Sequence, residues 1–155
     1  MESRDDICLL MDKLMIQSLE LIEQEVKLKT NIETITNDGQ LDLAYTRYTK
    51  GPNSASAVQL PTEDYKEFKA LCSVEETRDE LGDVKLNLTK HEVNHESGYI
   101  NPLRWFGILI PETLQKARDK FSRSLEYVVE CANVQIELRN LLLCYEQLNK
   151  LKNDM

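Results

Sequence analysis

Ile7, Leu14, Leu21, Leu28 and Ile35 fill one position of a seven-residue cycle without a miss, and that spacing brings all five side chains to the same face of a helix. Met11 and Ile32 fill the position four later, where Ser18 and Glu25 interrupt it. The pattern reads as a coiled-coil seam with polar breaks. A second stripe, Met15, Leu19, Ile22 and Val26, makes the apolar face wider than a two-stranded coil requires and leaves room for a further helix. A helix is predicted over 3–48, pausing at the turn-prone Asn37-Asp38-Gly39 and stopped by Gly51-Pro52.

A second long helix is predicted over 111–152. Pro111 suits a first helical position, and Glu112 places a carboxylate at the positive end of the helix dipole. Leu114, Ala117, Phe121, Leu125, Val128, Cys131, Val134, Leu138, Leu141, Tyr145 and Leu148 then recur at three or four residues. The two steps of four around Phe121 break heptad order, so the seam should drift there. The helices are similar in length, roughly 60 to 70 Å at about 1.5 Å per residue, which permits pairing. Between them, 51–98 holds acidic runs such as Glu75-Glu76-Thr77-Arg78-Asp79-Glu80 and few aliphatics. It reads as largely disordered, with one short helix near Thr62 to Leu71. The expected fold is all-α: a single unit, 1–155, in which two long helices form an antiparallel coiled-coil hairpin joined by a largely disordered acidic linker. One seam set against the entropy of ordering two long helices leaves a thin margin, so self-association or a helical partner is expected.

Charge narrows the function. The net charge of −8 comes from residues 1–100, while 101–155 carry 8 basic and 7 acidic side chains. Such a balance repels phosphate backbones and anionic lipid, which argues against nucleic-acid binding and against direct electrostatic docking on a membrane. No stretch approaches the ~20 apolar residues of a membrane span, and MESRDDICLL has acids where an export signal needs a basic start. A cytosolic protein is expected. Cys8, Cys72, Cys131 and Cys144 lie far apart and read as free thiols, and the sequon at Asn87 reads as idle. His91-Glu92-Val93-Asn94-His95 spells H-E-x-x-H, the zinc-protease pattern, but these are the only histidines and only Val93 among their neighbours could be buried. A chance match in a solvated linker is the better reading. No nucleophile with a base and no glycine-rich phosphate loop appears, so no catalytic residue, metal or cofactor is expected. Lys116, Arg118, Lys120 and Arg123 form a basic stretch that reads as a solvated helix face or as a surface for an acidic partner.

The segment 101–110, with Pro111 after it, contains the only tryptophan among large apolar residues and lies between two of the four prolines. Pairing the end of the first helix with the start of the second would set Tyr45, Arg47 and Tyr48 beside Trp105, Phe106 and Ile108. The rings would gather at one tip, either as a cap on the coiled coil or as a partner-binding end anchored by Trp105.

Pro102-Leu103 with Trp105-Phe106-Gly107-Ile108-Leu109 and Pro111 resembles the core motif of the coiled-coil assembly factors of the vacuolar proton ATPase. Leu43-Ala44 with Arg47-Tyr48 and Gly51 is similar to that family's second, weaker block. The resemblance implies a non-catalytic peripheral protein on the cytosolic face of the endoplasmic reticulum membrane, with ER–Golgi intermediate vesicles and endolysosomes as further locations. It implies two partners: a membrane-anchored assembly partner, and unassembled membrane-sector subunits held until the complex can leave. Endomembrane acidification would depend on it, and membrane contact would come only through the partner. Tyr45, Arg47, Tyr48, Pro102, Leu103, Trp105, Phe106, Gly107, Ile108 and Leu109 are the partner-binding candidates, in a homo- or hetero-oligomer. The alternatives are a coiled-coil tether or scaffold in vesicle traffic, and a holdase resembling prefoldin, whose β-hairpin platform the middle segment was not expected to supply.

Overall fold

In the computed structural model residues 4–154 are described, so residue 3, expected to open the first helix, lies outside them together with both chain ends. Helix α1 runs Arg4–Lys50 and helix α2 runs Glu112–Asp154. Asp5 and Asp6 stand in the first turn of α1 and Arg47 and Lys50 in its last, each matched to the helix dipole. Gly51, at φ 103°, ends α1 by donating its N–H to the Arg47 carbonyl at 3.0 Å, and Pro52 cannot continue the helix. At the other end the Pro111 carbonyl accepts from the N–H groups of Leu114 and Gln115.

The helices pack antiparallel: Thr46 meets Thr113, Asp42 meets Lys120, and Glu25 meets Gln135. Midway, Leu28, Cys131 and Val134 form a buried cluster flanked by Leu21, Ile32 and Tyr127. Unlike the expectation, the heptad runs through the polar positions. Ser18 is only 2% exposed, and Glu25, Gly39, Asp42 and Thr46 continue the inner face. There is no pause at Asn37-Asp38-Gly39, because Gly39 faces α2 and the ring of Phe121 lies where a side chain would begin; a Cβ there would meet Phe121 Cζ at 2.9 Å. The seam on α2 shifts just after Phe121, by two steps of three through Ser124 and Tyr127 where the spacing predicted two steps of four around Phe121. Ser124 is buried and Tyr127 half-buried, whereas Leu125 and Val128, 38% and 45% exposed, sit at the margin of the seam. Hydroxyls are tolerated at these positions because each donates back along its own helix, Ser18 to the Met15 carbonyl and Ser124 to the Phe121 carbonyl, both at 2.7 Å.

The expected fold class is overturned between the helices. The chain is not all-α, and the linker is ordered. Strands β1 (Cys72–Arg78) and β2 (Val84–Lys90) form an antiparallel hairpin with Cys72 opposite Lys90 and Arg78 opposite Val84. Its turn is held by Asp79, whose Oδ1 accepts from the N–H groups of Leu81 and Asp83, with Gly82 at φ 86°. The hairpin lies along α2 as a strap: Asp83 is bonded to Asn140, Leu86 to Asn133 and Lys90 to Glu126. Thr62 to Leu71 is not helical. It has a turn closed by the Tyr65 N–H on the Thr62 carbonyl, then an extended stretch in which the Lys69 N–H reaches the Gly98 carbonyl. Short 3-10 turns stand instead at Ala57–Gln59 and Pro102–Phe106. The strand signal lies in Val84, Leu86 and Leu88 alternating with Lys85, Asn87 and Thr89; this strand gains a surface to rest on only when α2 is present.

Candidate partner-binding tip

The end of the molecule where α1 stops and α2 starts is assembled mostly from linker residues. Ala55, Leu103 and Leu114 form a buried cluster, with Leu43, Phe106 and Ile110 packed around it. Asn101 caps the 3-10 turn Pro102–Phe106 by accepting from the Leu103 N–H at 3.1 Å, and Pro102 begins the turn. Ser54 and Arg47 tie the 51–56 segment to this end: the Ser54 hydroxyl lies 3.3 Å from the Thr46 carbonyl, to which it donates, and Arg47 Nη1 reaches the Ala55 carbonyl at 3.4 Å. Thr46 and Thr113 share a hydroxyl hydrogen bond of 2.6 Å across the helix junction, and Thr46 is fully buried there.

Among the described residues the ring contacts of Trp105 are with linker residues and not with Tyr45 or Tyr48. It packs edge-on against Phe68 at 5.1 Å between centroids and against Tyr65 at 6.2 Å, and those two rings are 6.0 Å apart. This three-ring cluster joins the linker to the tip. Tyr65 and Phe68 are not among the candidates because their stretch reads as a short helix inside the linker, away from the tip; their spacing in Tyr65-Lys66-Glu67-Phe68 is the available signal. The indole N–H is buried and has no hydrogen-bond partner among the described residues.

The other candidates divide by exposure. Leu103 belongs to the core of the tip, and Pro102 and Phe106 are half-buried. Gly107, at φ 124°, turns the chain outward after the 3-10 turn, and Pro111 returns it to α2. Between them Ile108 is 99% exposed and Leu109 92%. Tyr48 is 87% exposed, Tyr45 about half, and Val58, in the 3-10 turn after Ala55, is 91% exposed. Ile108 and Leu109 are neighbouring aliphatic side chains exposed on a loop that follows a packed cluster, which makes the loop a candidate contact surface.

The basic stretch is largely neutralised. Lys116 pairs with Glu112 at 2.8 Å, Arg118 with Asp119 at 2.6 Å, and Lys120 with Asp42 across the helices at 2.7 Å. Lys116 holds the Glu112 carboxyl below its usual range, and Glu112 raises the Lys116 ammonium in return. The histidine motif lacks the helix that zinc ligation would require. His91 follows β2, stacks on Tyr99 at 4.6 Å and shares a 3.2 Å hydrogen bond with Ser73, while His95 sits in a turn.

No family model matches the chain. It is similar to the vacuolar ATPase assembly protein VMA22 of human, with 25% identity over 146 residues and 81% of each chain covered. The corresponding cattle protein is 24% identical over 145 residues, and the mouse protein 22% over 149, with 80% or more of each chain covered. Both blocks that carry the resemblance, Leu43 to Gly51 and Pro102 to Pro111, form this end of the molecule. The resemblance read from the residues agrees with these findings: over about four fifths of its length the chain is similar to vacuolar ATPase assembly proteins.

Proposed function

We propose that this chain is a non-catalytic assembly factor for the vacuolar proton-transporting ATPase. The observation that carries the reading is the similarity, over about four fifths of the chain, to proteins named for that assembly. The finer reading places its action on the membrane sector, at the cytosolic face of the endoplasmic reticulum, together with a membrane-anchored partner, and so in support of endomembrane acidification. No helix among the described residues is long and apolar enough to cross a membrane.

Two surfaces support a mechanism of temporary holding. The Ile108-Leu109 loop, at the end of the molecule where α1 carries the exposed Tyr45 and Tyr48, offers an apolar tip for selecting a partner. Along α1, Leu19, Ile22 and Val26 stand on the side away from the seam, where a client helix can lie in groove fashion. Moderate affinity suits a factor that must release its client. The test is recovery from endoplasmic-reticulum membranes with tagged protein, comparing Trp105→Ala with the double variant Ile108→Ser, Leu109→Ser. Recovery of membrane-sector ATPase subunits that fails with the double variant, at unchanged helicity, supports the reading. Recovery of vesicle-tethering components instead would support the scaffold alternative and overturn this one.

A further inference from the structure

The hairpin strapped to α2 has one closed edge and one open edge. On β2 the Leu86 N–H donates to Asn133 Oδ1 at 2.8 Å and the Leu86 carbonyl accepts from Asn133 Nδ2 at 2.9 Å, so a side-chain amide on α2 stands where a third strand would. The phase of the ladder follows from both of its ends. The Asp79 N–H bonds the Asp83 carbonyl, and the His91 N–H bonds the Leu71 carbonyl, so odd-numbered residues of β1 face β2. The backbone groups of Val74, Glu76 and Arg78 therefore point away from the hairpin. They have no partner among the described residues, and Val74 to Arg78 are exposed, Val74 by 53%. No proline or glycine interrupts this edge.

The geometry points to β1 as a docking edge for an extended, basic segment of a partner protein, added as a third strand antiparallel or parallel to Cys72–Arg78. Charge selects this occupant. Glu75 and Glu76 on the strand and Asp79 and Glu80 in the turn outnumber Arg78, which is already paired with Glu76 at 2.8 Å. Lys85 lies on the neighbouring strand, and Lys90 is taken by Glu126. A second copy of this chain would bring its own Glu75 and Glu76 against these, which opposes self-pairing. A segment alternating lysine or arginine with β-branched residues would satisfy the backbone and set its cations against the glutamate on one face of the strand.

The probe is a blocked peptide alternating lysine with valine, with a glutamate–valine peptide as control, and the readout is amide exchange residue by residue. Saturable protection at Val74, Glu76 and Arg78 with the lysine peptide only is expected. Val74→Pro removes one outward N–H and leaves the ladder intact, since an edge position facing solvent tolerates proline. It should weaken peptide binding on the order of tenfold, the worth of one lost backbone hydrogen bond with its desolvation. Protection of the Ser73, Glu75 and Thr77 amides reports whether the hairpin survives. Should it not, the double variant Glu75→Gln, Glu76→Gln decides, with weaker binding expected at low salt. Equal protection by both peptides, none by either, or unchanged binding in these variants overturns the inference. So does concentration-dependent protection of the same amides without peptide, which would assign the edge to a second copy.

Discussion

The middle of the helix pair and its tip bury apolar residues by different rules. In the middle, Leu28, Cys131 and Val134 come from two helices alone, and their burial follows from spacing within each helix. At the tip, Leu43, Ala55, Leu103, Phe106, Ile110 and Leu114 come from α1, α2 and two linker stretches, and the same construction pushes Ile108 and Leu109 into water. Regular seams hold the rod together and say little about partners. An irregular end, closed by loops and capped turns, can display apolar side chains because the buried cluster beneath, not the exposed residues, holds the loops in place.

The contrast is tested most severely by Leu28→Ala. Truncating this buried side chain should cost about 2 to 5 kcal/mol, read as a lower urea midpoint with an unchanged slope. A smaller loss is expected from Asn133→Leu, which leaves the Leu86 N–H and carbonyl without their α2 partner. The cost of about 1 to 3 kcal/mol should fall on the strap, seen as faster exchange of β2 amides while the helix amides stay protected. If both halves lose protection together, the strap and the helix pair are one cooperative unit and the comparison fails. Ile108→Ser with Leu109→Ser should shift stability by no more than about 0.5 kcal/mol, since neither side chain is buried, while abolishing partner recovery. A large drop in melting temperature would return this loop to the core.

Much of the rod was legible and most of the site was not. Heptad spacing located both helices because a helix face depends only on local period. It misread Ser18 and Gly39 as interruptions, since spacing alone does not reveal that a hydroxyl can bond its own helix or that Phe121 needs a bare backbone opposite it. The hairpin was lost for the opposite reason. Its acidic composition argues for disorder in isolation, and order comes from Asn133, Glu126 and Asn140, which lie 36 or more residues away along the chain. The tip candidates Tyr45, Tyr48, Ile108 and Leu109 do stand exposed, but Trp105 packs with Tyr65 and Phe68, a pairing no local pattern announces.

The smallest expected effect separates the two regions by pH. Glu25 sits in the seam, where Lys29 first and Gln135 second hold its carboxyl below the usual range, with Gln135 reaching across from α2 at 2.8 Å. A carboxyl lowered in the folded state contributes stability above its unfolded value, and loses that contribution as pH falls through the folded value. Glu112 at the tip is lowered in the same direction, but by Lys116 within its own helix, so its protonation leaves the contact between helices untouched. Urea midpoints followed from neutral pH to below the ordinary carboxylate range should therefore bend downward in acid. Glu25→Gln, which can still accept from Gln135, should flatten that limb more than Glu112→Gln does. An equal response from the two variants would mean that the ion pair within α1, and not the bond to α2, accounts for the acid sensitivity of the seam.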